Sequence, residues 1–277
     1  MKELAPEFGM ALVCRVLGVA RSTGNYKSVA KPKPDLSLLK TAIETFRLTH
    51  RQYGVRKMRK LFERDGTAPS FSRMRTAYIE LNILRKPGKK RIYTTDSTHA
   101  EPRFENLLKG LKVTHPDHIW VCDVTGVYLK KRWVYVALVM DIYTRAIVGW
   151  NVAESNVTDL TLGALRKGFD LERSPEIHHS DQGANYCASR YCKILQARGI
   201  QISMSATGKP RENAHAERLN RTLKYEGLKR AGHLTLYEVE TEIQEFVEYY
   251  NNTRIHASIG FKTPSEILVE WNQPKRI

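Results

Sequence analysis

Three acidic side chains stand where a soluble fold has little ordinary use for them. Asp123 lies inside the apolar run "WVCDVT", Asp181 follows a short run of strand-forming residues in "HSDQGANY", and Glu217 falls in "ENAHAERLNRTLKYEG". Between them lie 57 and 35 residues. Period-two alternation puts Trp120, Cys122 and Val124 on one face of the first segment and Val121, Asp123, Thr125 and Val127 on the other. An acid there is costly unless it is paired or bound to a metal. A partner arginine or an edge position is the other way to satisfy it. In the third segment Asn213, Glu217, Arg221 and Lys224 recur at i, i+4, i+8 and i+11, one acid among bases on a single helix face. If a fold brings such acids together, the chemistry on offer is metal-assisted, because like charges at one spot need a cation between them.

The segments around these acids have to position them. Residues 118–130, 132–143 and 145–154 are short, rich in Val, Ile, Trp and Tyr, and closely spaced, which predicts an antiparallel three-stranded meander. A helix over 156–171, a strand over 176–181, a helix over 189–199 and a strand over 200–205 follow, so the expected class is α/β, a mixed sheet with flanking helices. A helical stretch over 212–227 carries Glu217. The last helix is expected over 235–251, opened by a capping box of Thr235 and Glu238. Asp141, at the end of the second strand, reads as structural. His178 and His179 are neighbours on a strand and face opposite ways, which argues for packing and against a zinc site with Cys187 and Cys192.

Charge is segregated. The formal net charge is +16, yet residues 1–112 hold 24 basic against 10 acidic side chains and the remainder is nearly balanced. Such a division fits a basic arm that holds a polyanion and a body that acts on it. Three amphipathic stretches between residues 36 and 84 place Arg56, Lys57, Arg59, Lys60, Arg73 and Arg75 on polar faces, compatible with a small, basic, helix-turn-helix-like DNA-binding domain. A helical piece and linker (1–35) precede it, a connector (85–112) follows, and residues 113–277 form the body. No apolar run approaches the ~18 to 20 residues that span a bilayer. The N-terminus shows no secretory pattern and the four cysteines show no disulfide framework, so an intracellular protein is expected.

Together, "WVCDVT", "HSDQGANY" and "GKPRENAHAERLNRTLKYE" resemble the DDE catalytic core shared by retroviral integrases and bacterial insertion-sequence transposases. More narrowly the chain resembles the second-frame (OrfB-type) transposase of the insertion-sequence-three family. "QYGVRKMRKLF" (52–62), "RAIVGW" in the third strand and "YYNNTRIHASIGFKTPSEI" (249–267) add to the likeness, which runs from about residue 10 to the end. It departs from the family at Arg211-Glu212, where an aromatic and Asp are usual, and at His215, where an apolar residue is common.

The resemblance implies an RNase H-like core that cuts transposon-end DNA and joins the freed 3′-hydroxyl to target DNA. Asp123, Asp181 and Glu217 would be catalytic and would hold two Mg²⁺ ions, for which Mn²⁺ can substitute. Lys224 would contact DNA, with Arg221 and Asn213 as further contacts. Tyr250, Asn251, Arg254 and His256 match the tail signature, either as packing or as DNA contacts. The implied partners are double-stranded DNA (terminal inverted repeats and target), further copies of the chain, and a fused upstream-frame zipper protein, all at the bacterial nucleoid. Two alternatives share the fold: a catalytically inactive DNA-binding regulator, and an RNase H-like nuclease that cuts without joining.

Overall fold

Eleven residues from Ile119 to Leu129 make the central strand, β1, and every other element of the core is placed by reference to it. The computed structural model describes residues 3–24, 34–84, 103–129, 132–206, 209–228 and 235–274. The connector therefore lies largely outside the described residues. Two units are distinguished, residues 1–38 and 39–277. The first holds three short helices, α1 (Ala5–Phe8), α2 (Met10–Val16) and α3 (Arg21–Gly24), with Val13 and Cys14 buried on α2.

Three helices, α4 (Ser37–Thr49), α5 (Val55–Arg64) and α6 (Phe71–Glu80), follow. Helical spacing decides which residues they bury: Ile43, Met58, Phe62, Met74, Ala77 and Tyr78 face inward while the basic residues stay outside. The buried Tyr78 hydroxyl donates to the Tyr53 carbonyl at 2.9 Å, and Phe46 meets Phe62 edge to face.

In the sheet, β1 pairs antiparallel with β2 (Arg132–Asp141), which pairs antiparallel with β3 (Ile147–Ala153). On the other side of β1 lie β4 (Ile177–Ser180) and β5 (Gln201–Met204), both parallel to it, giving the order β3-β2-β1-β4-β5. This is the mixed sheet that the strand and helix pattern predicts. Alternation along β1 divides the interior in two. Trp120 and Cys122 pack with α7 (Thr158–Phe169), α8 (Ala184–Cys187) and α9 (Ser189–Ala197). Val121 and Val127 pack with α10 (Ala214–Thr222) and α11 (Leu236–Asn252). Glycines let α7 lie close: a Cβ on Gly149 would come 2.0 Å from the Ala164 carbonyl oxygen, and one on Gly168 would come 2.7 Å from the Trp120 ring.

Two elements differ from expectation. The stretch 212–227 is not one helix: a 3₁₀ turn (Pro210–Asn213) leads into α10, which widens into a π-helical turn over Leu223–Gly227. And the helix over 235–251 is not the last. Another, α12 (Pro264–Asn272), follows, started by a second capping box of Thr263 and Glu266 with Pro264 in its first turn.

Candidate active site

Asp123 sits on the α10 side of β1, partly buried. Its Oδ1 accepts from the Val124 N–H at 2.9 Å and its Oδ2 accepts from Asn220 Nδ2 at 2.9 Å. These bonds favour the ionised form, but burial and then the charge of Asp181 outweigh them, with a smaller contribution from Glu217, and raise the carboxyl pKa to about 7. Asp181 follows β4, the strand adjacent to β1. The turn beyond it is closed by the Gly183 N–H, which donates to Asp181 Oδ1 at 3.0 Å. A Cβ on Gly183 would lie 3.0 Å from that same oxygen, so glycine leaves the carboxylate its room. Glu217 projects from α10 at the rim, exposed, with its pKa raised by desolvation at its base. Strand pairing thus brings the two aspartates together, and α10 places Glu217 near enough to add to the Asp123 shift, but the donor oxygens of the three do not all lie within 4.8 Å of one another.

The donor set is carboxylate oxygen alone, which suits a hard divalent cation such as Mg²⁺. A second observation agrees: Asn220 Oδ1 is buried and has no hydrogen-bond partner among the described residues. Sequence reasoning passed over Asn220, although its place three residues after Glu217 on a helix was a usable signal.

Several candidates take other roles. Asn213, expected among the DNA contacts, is buried, and its Nδ2 donates to the Cys122 carbonyl at 3.0 Å. The reason is the 3₁₀ turn, which directs that residue at β1 and away from the face of Glu217 and Arg221. Arg221 is exposed, and Lys224 is half-buried in the π turn. Arg56, Arg73 and Arg75 are exposed, whereas Arg59 and Lys60 both pair with Glu63, at 2.9 and 2.7 Å, and Lys57 lies over the Tyr53 ring.

The tail signature packs. Tyr250, Arg254 and His256 are buried, and Asn251 closes a two-way hydrogen bond with the Ile147 backbone, 2.9 Å in each direction. The Tyr53 hydroxyl accepts from the Ile255 N–H at 2.8 Å, and Arg64 pairs with Glu266, so α4–α6 dock on this segment.

Behind the acids, His178 Nε2 lies 2.9 Å from Cys122 Sγ and 2.8 Å from the Tyr191 hydroxyl, while His179 Nδ1 lies 2.8 Å from Ser203 Oγ. Burial lowers the two histidines to about 3 and about 4, so both pack as neutral rings. Asp141 is fully buried at the β2–β3 turn, where it accepts from the Thr144 hydroxyl at 2.5 Å and from the Tyr143 N–H at 3.1 Å.

Residues 113–210 match a family model described as an integrase core domain, and residues 198–264 match a second model of the same description. The insertion element IS600 uncharacterized 31 kDa protein of Shigella sonnei is 33% identical over 270 residues, spanning 94% of this chain and 99% of its own length. The transposase for insertion sequence element IS629 of Shigella sonnei is 29% identical over 276 residues, spanning 96% and 93%. Among solved structures, a chain from the simian T-cell lymphotropic virus intasome in complex with PP2A regulatory subunit B56 gamma is similar with a TM-score of 0.51 at 15% identity. The likeness covers 85% of this chain and 76% of that one, and it is a likeness of fold.

Proposed function

The chain belongs to the insertion-sequence-three family of DDE transposases, and from that premise we propose that Asp123, Asp181 and Glu217 are the side chains with which it breaks and rejoins DNA. It is a DNA transposase, a polynucleotidyl transferase acting through a divalent metal. The finer assignment is two Mg²⁺ ions, which Asp123, Asp181 and Glu217 would hold. When bound, such ions polarise the scissile phosphate and lower the pKa of the attacking hydroxyl or water.

The chain's own residues supply the rest. Asn220 and the Val124 N–H fix both oxygens of Asp123, so its orientation is set before DNA arrives. Asp181 is held by its turn, and Glu217, as an exposed side chain, can rotate towards the pair at low cost. In the first step a P–O3′ bond at the element's end breaks as water oxygen bonds to phosphorus, leaving a 3′-hydroxyl. In the second, that oxygen attacks a target phosphodiester, one P–O bond forming as another breaks, with loss of its proton.

Arg56, Arg73, Arg75 and Arg221, all exposed, are the proposed phosphate contacts, joined by Lys224 for its place just beyond Glu217; Lys57, Arg59 and Lys60 are secondary because they already have internal partners. Asn213 is assigned to holding α10 against β1. The proposed substrates are the terminal inverted repeats and target DNA. The proposed working form is a homo-oligomer at the bacterial nucleoid, with or without an upstream-frame fusion. Among the described residues no helix is long and apolar enough to cross a membrane.

The observation that carries this reading is the Asp123–Asp181 pair, brought together by adjacent strands, where burial and then the neighbouring like charge raise the Asp123 carboxyl to about 7, a cost that a bound cation would relieve. The test is incubation with Mg²⁺, a labelled transposon end and target DNA. Joined products are expected from the native chain, and neither nicked nor joined products from Asp123→Ala, Asp181→Ala or Glu217→Ala, each still able to bind DNA. Metal-dependent joining by any of the three variants would overturn the assignment. Nicking without joining by the native chain would favour a plain nuclease.

A further inference from the structure

A second group of metal-type donors stands at the other end of the same two strands. His118 immediately precedes β1 and Glu176 immediately precedes β4, each five residues upstream of the aspartate its strand delivers. The turn "THPDH" (114–118) brings His115 beside His118: Asp117 has φ 60°, and the His118 N–H reaches back to the His115 carbonyl at 3.4 Å. Pro followed by a left-handed residue is the sequence order of a type II turn. The two imidazole rings stack at 4.7 Å with 19° between their planes.

This turn is fixed from several sides. Arg173 donates to both Asp117 carboxylate oxygens at 2.9 and 2.7 Å, Trp120 Nε1 donates to Asp117 Oδ1 at 2.8 Å, and the Glu176 N–H donates to the Asp117 carbonyl at 3.0 Å. That last bond carries the Glu176 carboxylate to the histidines, 3.3 Å from His115 Nε2 and 3.9 Å from His118 Nε2. All three donor atoms lie within 4.8 Å of one another. A tetrahedral site with bonds of ~2.1 Å has edges of roughly 3.4 Å, so small rotations of His115 and Glu176 close the set.

Ring chemistry says what the group wants. His115 Nδ1 lies 2.9 Å from the Pro116 carbonyl oxygen, which can only accept, so Nδ1 carries the hydrogen. Nε2 is then the ring nitrogen turned towards the Glu176 carboxylate. A metal ion between them would be held by both, and the Nδ1–H to carbonyl bond is the outer support that metal-bound histidines commonly have. His118 Nδ1 now receives the Thr114 N–H at 3.4 Å and lies 3.5 Å from Thr114 Oγ1. Ligation through Nε2 would move its hydrogen to Nδ1, exchanging the bond from the Thr114 N–H for one to Thr114 Oγ1.

We propose that His115, His118 and Glu176 form a transition-metal site, two imidazole nitrogens and a carboxylate suited to Zn²⁺, that ties together the starts of β1 and β4. Nitrogen donors select zinc-like ions over Mg²⁺, so this site and the all-oxygen acid set take different metals. The proposal stands apart from the assignment of the catalytic acids.

The test titrates the full chain with Zn²⁺ in excess Mg²⁺ by calorimetry, followed by thermal melts. One equivalent of Zn²⁺ and a raised Tm are expected. His115→Gln and Glu176→Gln, both at solvent-accessible positions, should each weaken binding at least tenfold and remove the Tm gain, while Asp123→Asn changes neither. Co²⁺ in place of Zn²⁺ should show visible d–d bands without a thiolate charge-transfer band. Any of three results would overturn the proposal: no Zn²⁺ uptake, undiminished uptake by His115→Gln and Glu176→Gln, or a thiolate band that moves the metal to the cysteines.

Discussion

Arg254 reaches back to Glu226 through two parallel hydrogen bonds, Nε to Oε2 at 2.7 Å and Nη2 to Oε1 at 2.9 Å, with both side chains only about a tenth exposed. Glu226 belongs to the π turn that carries Lys224, so the tail signature anchors the turn that ends the helix of Glu217. Removing one partner of a buried pair strands the other, a loss of roughly 3 to 5 kcal/mol. Arg254→Ala is expected to lower Tm sharply in thermal melts, and Arg254→Lys, which cannot reproduce the two-pronged geometry, to lower it less. Equal stability of all three proteins would show that the pair contributes nothing.

Asp123 makes stability depend on pH in a definite direction. Its folded pKa, about 7, is above the ordinary value of 3.8, so the folded state prefers the protonated acid. Its contribution is fully present below about pH 4 and is lost as pH rises to about 7. Metal-free protein should therefore lose roughly 4 kcal/mol over that window, a loss that Asp123→Asn should abolish in denaturant titrations. Mg²⁺ should bind more tightly as pH approaches 7, with proton release seen by calorimetry in buffers of different ionisation enthalpy. Asn220→Ala removes a bond to the ionised carboxylate, so it should push the pKa higher and weaken Mg²⁺ binding at pH 7.

Exposure ranks the basic residues. Affinity for DNA should fall with salt at a log–log slope of roughly −0.9 per neutralised phosphate. Substituting Arg56, Arg73 or Arg75 by Ala should flatten that slope, and Lys60→Ala, whose ammonium already pairs with Glu63, should flatten it less. Filter-binding or anisotropy titrations at several salt concentrations decide the ranking, and identical slopes across the set would remove these helices from the DNA interface.

Lys224 differs from them because it lies in the π turn that continues the helix of Glu217. Lys224→Ala should slow strand joining by about tenfold, the loss of one charge-assisted contact of ~1 to 3 kcal/mol. Binding to a correct transposon end should weaken more than binding to unrelated DNA, with the Mg²⁺ requirement unchanged. Equal losses on both DNAs would make it a nonspecific charge.

What could be read in advance was what periodicity and local capping encode. The alternation around Asp123 separated the two interior faces, and the Thr235–Glu238 box marked where α11 begins. The same kind of box at Thr263 and Glu266 was equally legible but was passed over, so α12 was not expected. Asn220 could have been found from its place one turn beyond Glu217, but the role of Asn213 was not legible in this way, since helix periodicity gives a face and not the 3₁₀ turn that aims it at β1. Nor was the π turn: it depends on a glycine against the Phe246 ring and on an arginine 28 positions away, contacts that exist only after folding.

The strand order β3-β2-β1-β4-β5 also sets a timetable for assembly. The β1–β3 meander closes through neighbouring residues, but Ile177 must return to pair beside Ile119, and loop closure over such a span is slow. Pulsed hydrogen exchange during refolding should find β1–β3 amides protected before those of β4 and β5, and simultaneous protection would contradict that order. Synthesis imposes the same sequence, because Asp123 leaves the ribosome long before Asp181 and Glu217. A nascent chain therefore carries Asp123 before the other two acids, and the proposed metal site is complete only after α10 has emerged.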